Sequence, residues 1–187
     1  MPTTNAEPRY GAVAQALHWT IAGLIVVQFV LAKLAERLPL GMHKLILLAR
    51  HKSFGMTILA LAVLRLAWRL ANPPPPLPPG MRRAAKTTAA ATHTAIYALL
   101  FAMPLTGWLM SSAKNYSVSW FGLFTWPNLI GPNEPAFKLL RETHGILSKL
   151  LFALVILHVL AALKHHFWDR DDVLRRMLPV RRPRMRS

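Results

Sequence analysis

The chain has 187 residues, 53% of them hydrophobic and only 16% charged, with a mean hydropathy of +0.31, which is too little charge to coat a soluble domain of this size. The formal net charge of +16 excludes no membrane protein and points to no nucleic acid, because the basic residues sit at the ends of apolar runs, as anchors of membrane helices do. There is no cysteine, so disulfides, thiolate-held iron–sulfur clusters and C-x-x-C-H attachment of a cofactor are excluded. From the N-terminus, Gly11 to Ala32 contains no Lys, Arg, Asp or Glu and predicts a first helix over about 11–34. Such a run can cross the roughly 30 Å hydrocarbon core, where a helix satisfies its own backbone. It lacks a basic n-region and a small-residue cleavage site, so it reads as a retained helix. Pro39 and Gly41 break the chain, and a second helix is expected over 51–70, with Arg65 and Arg69 snorkelling at its C-terminal end. Pro73-Pro74-Pro75-Pro76-Leu77-Pro78-Pro79-Gly80 reads as a stiff polyproline linker.

Arg82, Arg83 and Lys86 lead into a third helix over 87–112, whose uncharged run extends from Thr87 to Ala113. Pro104 and Gly107 should kink or thin it and let another group approach. The stretch 114–136, broken by Pro127, Gly131, Pro132 and Pro135, carries Tyr116, Trp120, Phe121, Phe124 and Trp126 and reads as an interfacial aromatic loop. A fourth helix is expected over 137–168, followed by a basic tail. The fold class is all-α: one integral membrane four-helix bundle spanning 1–187. The N-terminus, the 65–86 segment and the tail together hold 14 Lys and Arg, against nine in the other two connections. That bias places both termini in the cytoplasm, of a bacterial inner membrane if the chain is bacterial.

Eight histidines decide the chemistry: His18, His43, His51, His93, His144, His158, His165 and His166. Ionisable residues inside a span are costly and point to function. His144 and His158 are fourteen positions apart, which on a helix is about 21 Å of rise and about 40° short of four full turns. They occupy one face at two depths, the arrangement that two stacked haem planes need on a single helix. Neutral imidazole ligates metal and avoids burying a charge. Helices two and four both start outside, so His51 matches His144 in depth. Helix one starts inside, so His18 matches His158; His93, near the inner start of helix three, matches it equally well, and depth alone does not choose between them. No H-E-x-x-H zinc motif is present, and no carboxylate sits mid-span to make a proton pump.

Taken in order, Leu17-His18-Trp19, His51 followed by Gly55, Arg65 and Arg69 before a proline run, His93-Thr94-Ala95-Ile96-Tyr97, His144, His158, His165-His166-Phe167-Trp168 and Leu174-Arg175-Arg176-Met177-Leu178-Pro179 resemble the bacterial cytochrome b561 family, including its superoxide oxidases, over almost the whole chain. The resemblance implies four helices, two b haems and ubiquinone chemistry near the cytoplasmic haem. It implies iron ligation by His18 with His158 at the inner haem and by His51 with His144 at the outer one, leaving His93 as a non-ligand near quinone.

Two bound haems would form an electron wire across the bilayer. At its inner end His93, His165, His166, Arg82, Arg83 and Lys86 are candidates for quinone contact, since a quinone needs hydrogen-bond donors and a proton source. At its outer end the excess of Lys and Arg over Glu36, Glu134 and Glu142 makes a positive mouth, with Lys114 among the steering candidates for a small anion such as superoxide. The leading expectation is superoxide oxidation outside and ubiquinone reduction inside. The alternative is a membrane anchor that carries electrons between a protein redox partner, such as a dehydrogenase or a periplasmic cytochrome, and the quinone pool. A haem-free channel finds no repeat or broken-helix pair to support it.

Overall fold

The computed structural model describes residues 4, 9–76, 80–81 and 83–178. Four long helices carry the chain: α1 (Ala12–Arg37), α2 (Met42–Ala71), α3 (Arg83–Ala113) and α4 (Glu134–Phe167). Each is long and apolar enough to cross a membrane. α1 packs along α2 and α3 along α4, and α2 against α3 joins the two pairs.

Helix α2 begins at Met42, well before the expected start at His51. The Met42-to-Arg50 stretch contains no Gly or Pro and follows directly on Gly41, so the helix runs through Lys44 and Arg50. At 30 residues α2 is about 45 Å long, so its basic first turns reach past the hydrocarbon core. α3 and α4 likewise start earlier than expected, at Arg83 and Glu134. The α4 start has a cap: the Asn133 side chain accepts from the Ala136 N–H at 2.8 Å, with proline in the first turn. Of the polyproline run, residues 77–79 lie outside the described residues, as do Arg82 and the tail from 179.

The buried core is small and central. Ile21 and Ile25 of α1, Ile58 and Ala62 of α2 and Leu100 of α3 form one cluster, with Leu24, Phe29, Leu61, Ile96 and Phe101 packed around it. In contrast, large apolar side chains such as Val26, Leu64, Leu150, Phe152 and Leu160 point outward. Such a surface is stable facing lipid tails and not facing water.

The aromatic loop contains a two-stranded hairpin, β1 (Val118–Trp120) and β2 (Phe124–Trp126), paired Val118 to Trp126, Ser119 to Thr125 and Trp120 to Phe124. Its turn places Phe121 at φ 51° and Gly122 at φ 79°. A bulky residue in the left-handed region costs about 1–2 kcal/mol. Here the Phe121 N–H donates to Ser53 Oγ at 3.0 Å and its ring meets Phe54 edge-on at 5.0 Å, which offsets that cost. The other end of the bundle is closed by a short helix, α5 (Val173–Met177). It is strapped to the start of the chain: Arg9 donates to the Arg175 and Leu178 carbonyls, Gln15 to that of Arg176 and Trp19 to that of Met177.

Candidate functional site

Five of the eight histidines gather at two levels of the bundle. At the hairpin end, α2 supplies His51 and α4 supplies His144, with ring centres 6.4 Å apart and ring planes at 73°. At the other end, His18 of α1 and His158 of α4 stand 6.2 Å apart at 65°, and His93 of α3 lies 5.3 Å from His158. Between the levels sits the apolar cluster, and on α4 Leu151 is also buried. Leu151 is midway between His144 and His158 in sequence and continues their face of the helix.

The spacings test what these rings are able to hold. Two imidazoles on opposite sides of one metal, with nitrogens about 2.0 Å from it and about 1.1 Å from their ring centres, have centres about 6.2 Å apart. His18 with His158 and His51 with His144 have that separation; His93 with His158 is closer. His18, His51, His144 and His158 are half-buried, whereas His93 is exposed. It lines a half-open groove of about 280 Å³ with Leu66, Arg69, Ala90, Thr94 and Tyr97. The donor set and its spacing thus fit two bis-imidazole haems, one per level.

Local contacts orient the rings. Thr106 Oγ1 lies 3.0 Å from His144 Nδ1 and also reaches the Ala102 and Met103 carbonyls at 2.8 and 2.9 Å. A hydroxyl has one proton. When a carbonyl takes it, the Thr106 oxygen accepts from His144 Nδ1–H, and the Nε2 lone pair is left for a metal. One residue on, a Cβ at Gly107 would stand 3.3 Å from His144 Cε1. The group that the Pro104–Gly107 segment admits is therefore the His144 ring. Across the bundle, Gln28 Nε2 donates to the His51 carbonyl at 3.0 Å, close to Gly55, where a Cβ would meet that amide at 3.1 Å.

The hairpin covers the His51–His144 level. It is pinned to α2 by Ser53 Oγ with the Ser119 carbonyl, by Trp120 Nε1 donating to Thr57 Oγ1 and by Lys52 Nζ donating to the Ser117 carbonyl at 2.6 Å. Trp108 Nε1 donates to the Pro127 carbonyl, and the Leu129 N–H donates to Ser112 Oγ, tying the following loop to α3.

Other candidates are placed differently from expectation. Lys114 is ion-paired to Glu134 at 2.6 Å and lies 4.9 Å from the Phe137 ring centre. The hydrogen bond that the Lys114 ammonium donates to that carboxylate holds it above its ordinary pKa, and the pair's opposite charges cancel much of its distant field. Lys33 is likewise paired with Glu36. His165 is not in the His93 groove: its Nδ1 lies 2.6 Å from Asp171 and 3.3 Å from Asp169. Lys164 holds Asp169 from the other side and lowers its pKa. Sequence reasoning missed Gln28 and Thr106, which are ordinary polar residues until the fold sets them against His51 and His144.

Long apolar helices with histidines paired inside their bundle are the layout of a helical membrane cytochrome. The chain belongs to the prokaryotic cytochrome b561 family, whose sequence profile matches residues 9–180. It is 35% identical over 181 residues to cytochrome b561 homolog 2 of Escherichia coli strain K12, covering 95% of each chain. It is 28% identical over 174 residues to the probable superoxide oxidase CybB of Yersinia pestis, covering 93% of this chain and 98% of that one. Cytochrome b562 of Cereibacter sphaeroides is 25% identical over 189 residues, with 95% and 98% covered. The family is one of bacterial membrane proteins that bind b-type haem and transfer electrons.

Proposed function

We propose that this protein is a dihaem electron conduit that oxidises superoxide at the periplasmic side and reduces ubiquinone at the cytoplasmic side. His51 and His144 hold the outer haem, His18 and His158 the inner one, and both termini are cytoplasmic. The observation that carries this reading is the pair of imidazole separations, 6.4 and 6.2 Å, at two levels of one bundle. Bound haem supplies a one-electron couple at each level; the protein supplies the ligands, the apolar separation and the access.

The reaction balances as two superoxide anions, one quinone and two protons giving two dioxygen molecules and one quinol. Each superoxide gives up one electron outside, and the two protons enter from the cytoplasm. Arg69, His93, Thr94 and Tyr97 around the open groove supply hydrogen-bond donors for a quinone ring and a proton-exchanging imidazole. At the outer mouth the attraction for an anion rests on Lys138 and Arg141 more than on Lys114, whose charge is offset by Glu134. The superoxide assignment also draws on the relative named probable superoxide oxidase.

Reduced-minus-oxidised spectra of purified protein test the conduit: two low-spin b haems per chain are expected, with His18→Ala and His51→Ala each removing one. A single haem, or none, overturns it. Stopped-flow mixing with superoxide and a soluble ubiquinone tests the substrate. Haem reduction slower than spontaneous dismutation would replace superoxide with a protein redox partner as the donor.

A further inference from the structure

Helix α2 carries a second ionisable residue at a histidine level besides His51. Arg65 is fourteen positions further on, the same interval that separates His144 from His158 on α4. That interval returns to nearly the same helix face about 21 Å away, so Arg65 stands at the level of His18 and His158. Its charge lies within electrostatic reach of His18, His93 and His158. Arg65 Nε donates to Tyr97 Oη at 3.0 Å, and the guanidinium carbon lies 5.8 Å from the Tyr97 ring centre. Arg69 flanks the same ring at 5.9 Å. The Nη1 of Arg65 is buried without a hydrogen-bond partner. Among the described residues no carboxylate pairs with Arg65.

A guanidinium in a membrane span is retained where an anion or a polar group meets it, and here one edge is anchored while the other has no protein partner. We propose that this edge of Arg65 receives a propionate carboxylate of the inner haem, and that its charge raises the potential of that haem. The proposal rests on the dihaem reading above. Arg65 binds the carboxylate by a charge-assisted hydrogen bond, and Tyr97 is a positioning residue that fixes the guanidinium's rotation. A positive charge at this distance favours the reduced haem, because reduction adds one negative charge.

Redox titration of the full-length haem-loaded protein tests this, with the inner haem defined as the one lost in His18→Ala. In Arg65→Gln the reduced-to-oxidised ratio of the inner haem at fixed potential should fall about tenfold, a midpoint about 59 mV lower for one electron. The outer haem should not move. Arg65→Lys should return the ratio to within about threefold of wild type, since the point charge remains and only the fork is lost. An unchanged inner potential in Arg65→Gln overturns the proposal, including where the quinone KM rises, since that outcome gives the guanidinium to quinone instead. If Arg65→Gln yields no inner haem, Arg65→Lys decides. Retention of the inner haem near its wild-type potential supports the carboxylate site, and loss there too overturns it in favour of a role in folding. A wild-type protein without two haems overturns the dihaem reading itself, a result distinct from two haems with unmoved potentials.

Discussion

Replacing Thr106 by Val should loosen the outer haem and leave the inner one intact. The two side chains are nearly isosteric, so packing around α3 is preserved while the oxygen 3.0 Å from His144 Nδ1 is lost. Two effects follow. The half-buried His144 Nδ1–H loses its acceptor, which costs about 1–3 kcal/mol for an unsatisfied polar group. The preference for the tautomer with a free Nε2 lone pair also disappears, and loss of such a supporting bond to a metal-binding histidine typically lowers affinity about 10- to 100-fold. The two figures agree, since a factor of ten is about 1.4 kcal/mol. The assay is haem transfer to excess apomyoglobin, followed separately for each haem. The expected result is that the haem missing in His51→Ala leaves at least about tenfold faster in Thr106→Val, with Thr106→Ser close to wild type. Equal rates for the outer haem in Thr106→Val and wild type would rule out a role for the Thr106 hydroxyl, and so would faster loss of the inner haem alone.

Three further outcomes follow from the geometry. Gly107→Ala gains about 1 kcal/mol of helix propensity but places a methyl 3.3 Å from His144 Cε1. It should therefore unfold at about the wild-type temperature yet show altered ligand-field lines of the outer haem in electron paramagnetic resonance; Gly107→Val, with its larger overlap, should lose that haem. Ser53→Ala removes a buried hydroxyl that serves Ala49, Ser119 and Phe121. It should lower stability by about 1–3 kcal/mol and raise hydrogen exchange in the Val118–Trp126 hairpin while leaving α5 unchanged. Lys138→Glu with Arg141→Glu should slow superoxide-driven haem reduction and flatten its dependence on ionic strength, whereas Lys114→Gln should have a small effect, because Glu134 already offsets its charge. Stopped-flow traces across a salt series separate the two.

Both histidine levels were legible because a helix turns each position into an angle and a depth. His144 and His158 needed only their spacing, and His51 needed only chain direction. The choice between His18 and His93 was not legible, since both start a helix at the same depth. Both rings reach His158, His18 at 6.2 Å and His93 at 5.3 Å, and it is the family resemblance that implies His18 as the ligand. The early start of α2 was hidden by Lys44 and Arg50, which a helix tolerates once it extends beyond the hydrocarbon core. The hairpin was hidden by its short strands and by the prolines that follow it. Its order comes from Ser53, Thr57 and Trp108, which lie far away in sequence.

Four helices long and apolar enough to cross a membrane, with histidines on their inner faces at two depths, follow from the amino-acid sequence alone. Apolar run length and helical periodicity are local quantities, and lipid leaves the backbone no alternative to them. The folded chain adds which rings meet, that Thr106 sits against one of them, that Glu134 offsets Lys114 and that Arg65 comes to the inner level with one edge unpartnered. Those are distances between helices, and they depend on how side chains from separate segments pack, which no single stretch of sequence contains.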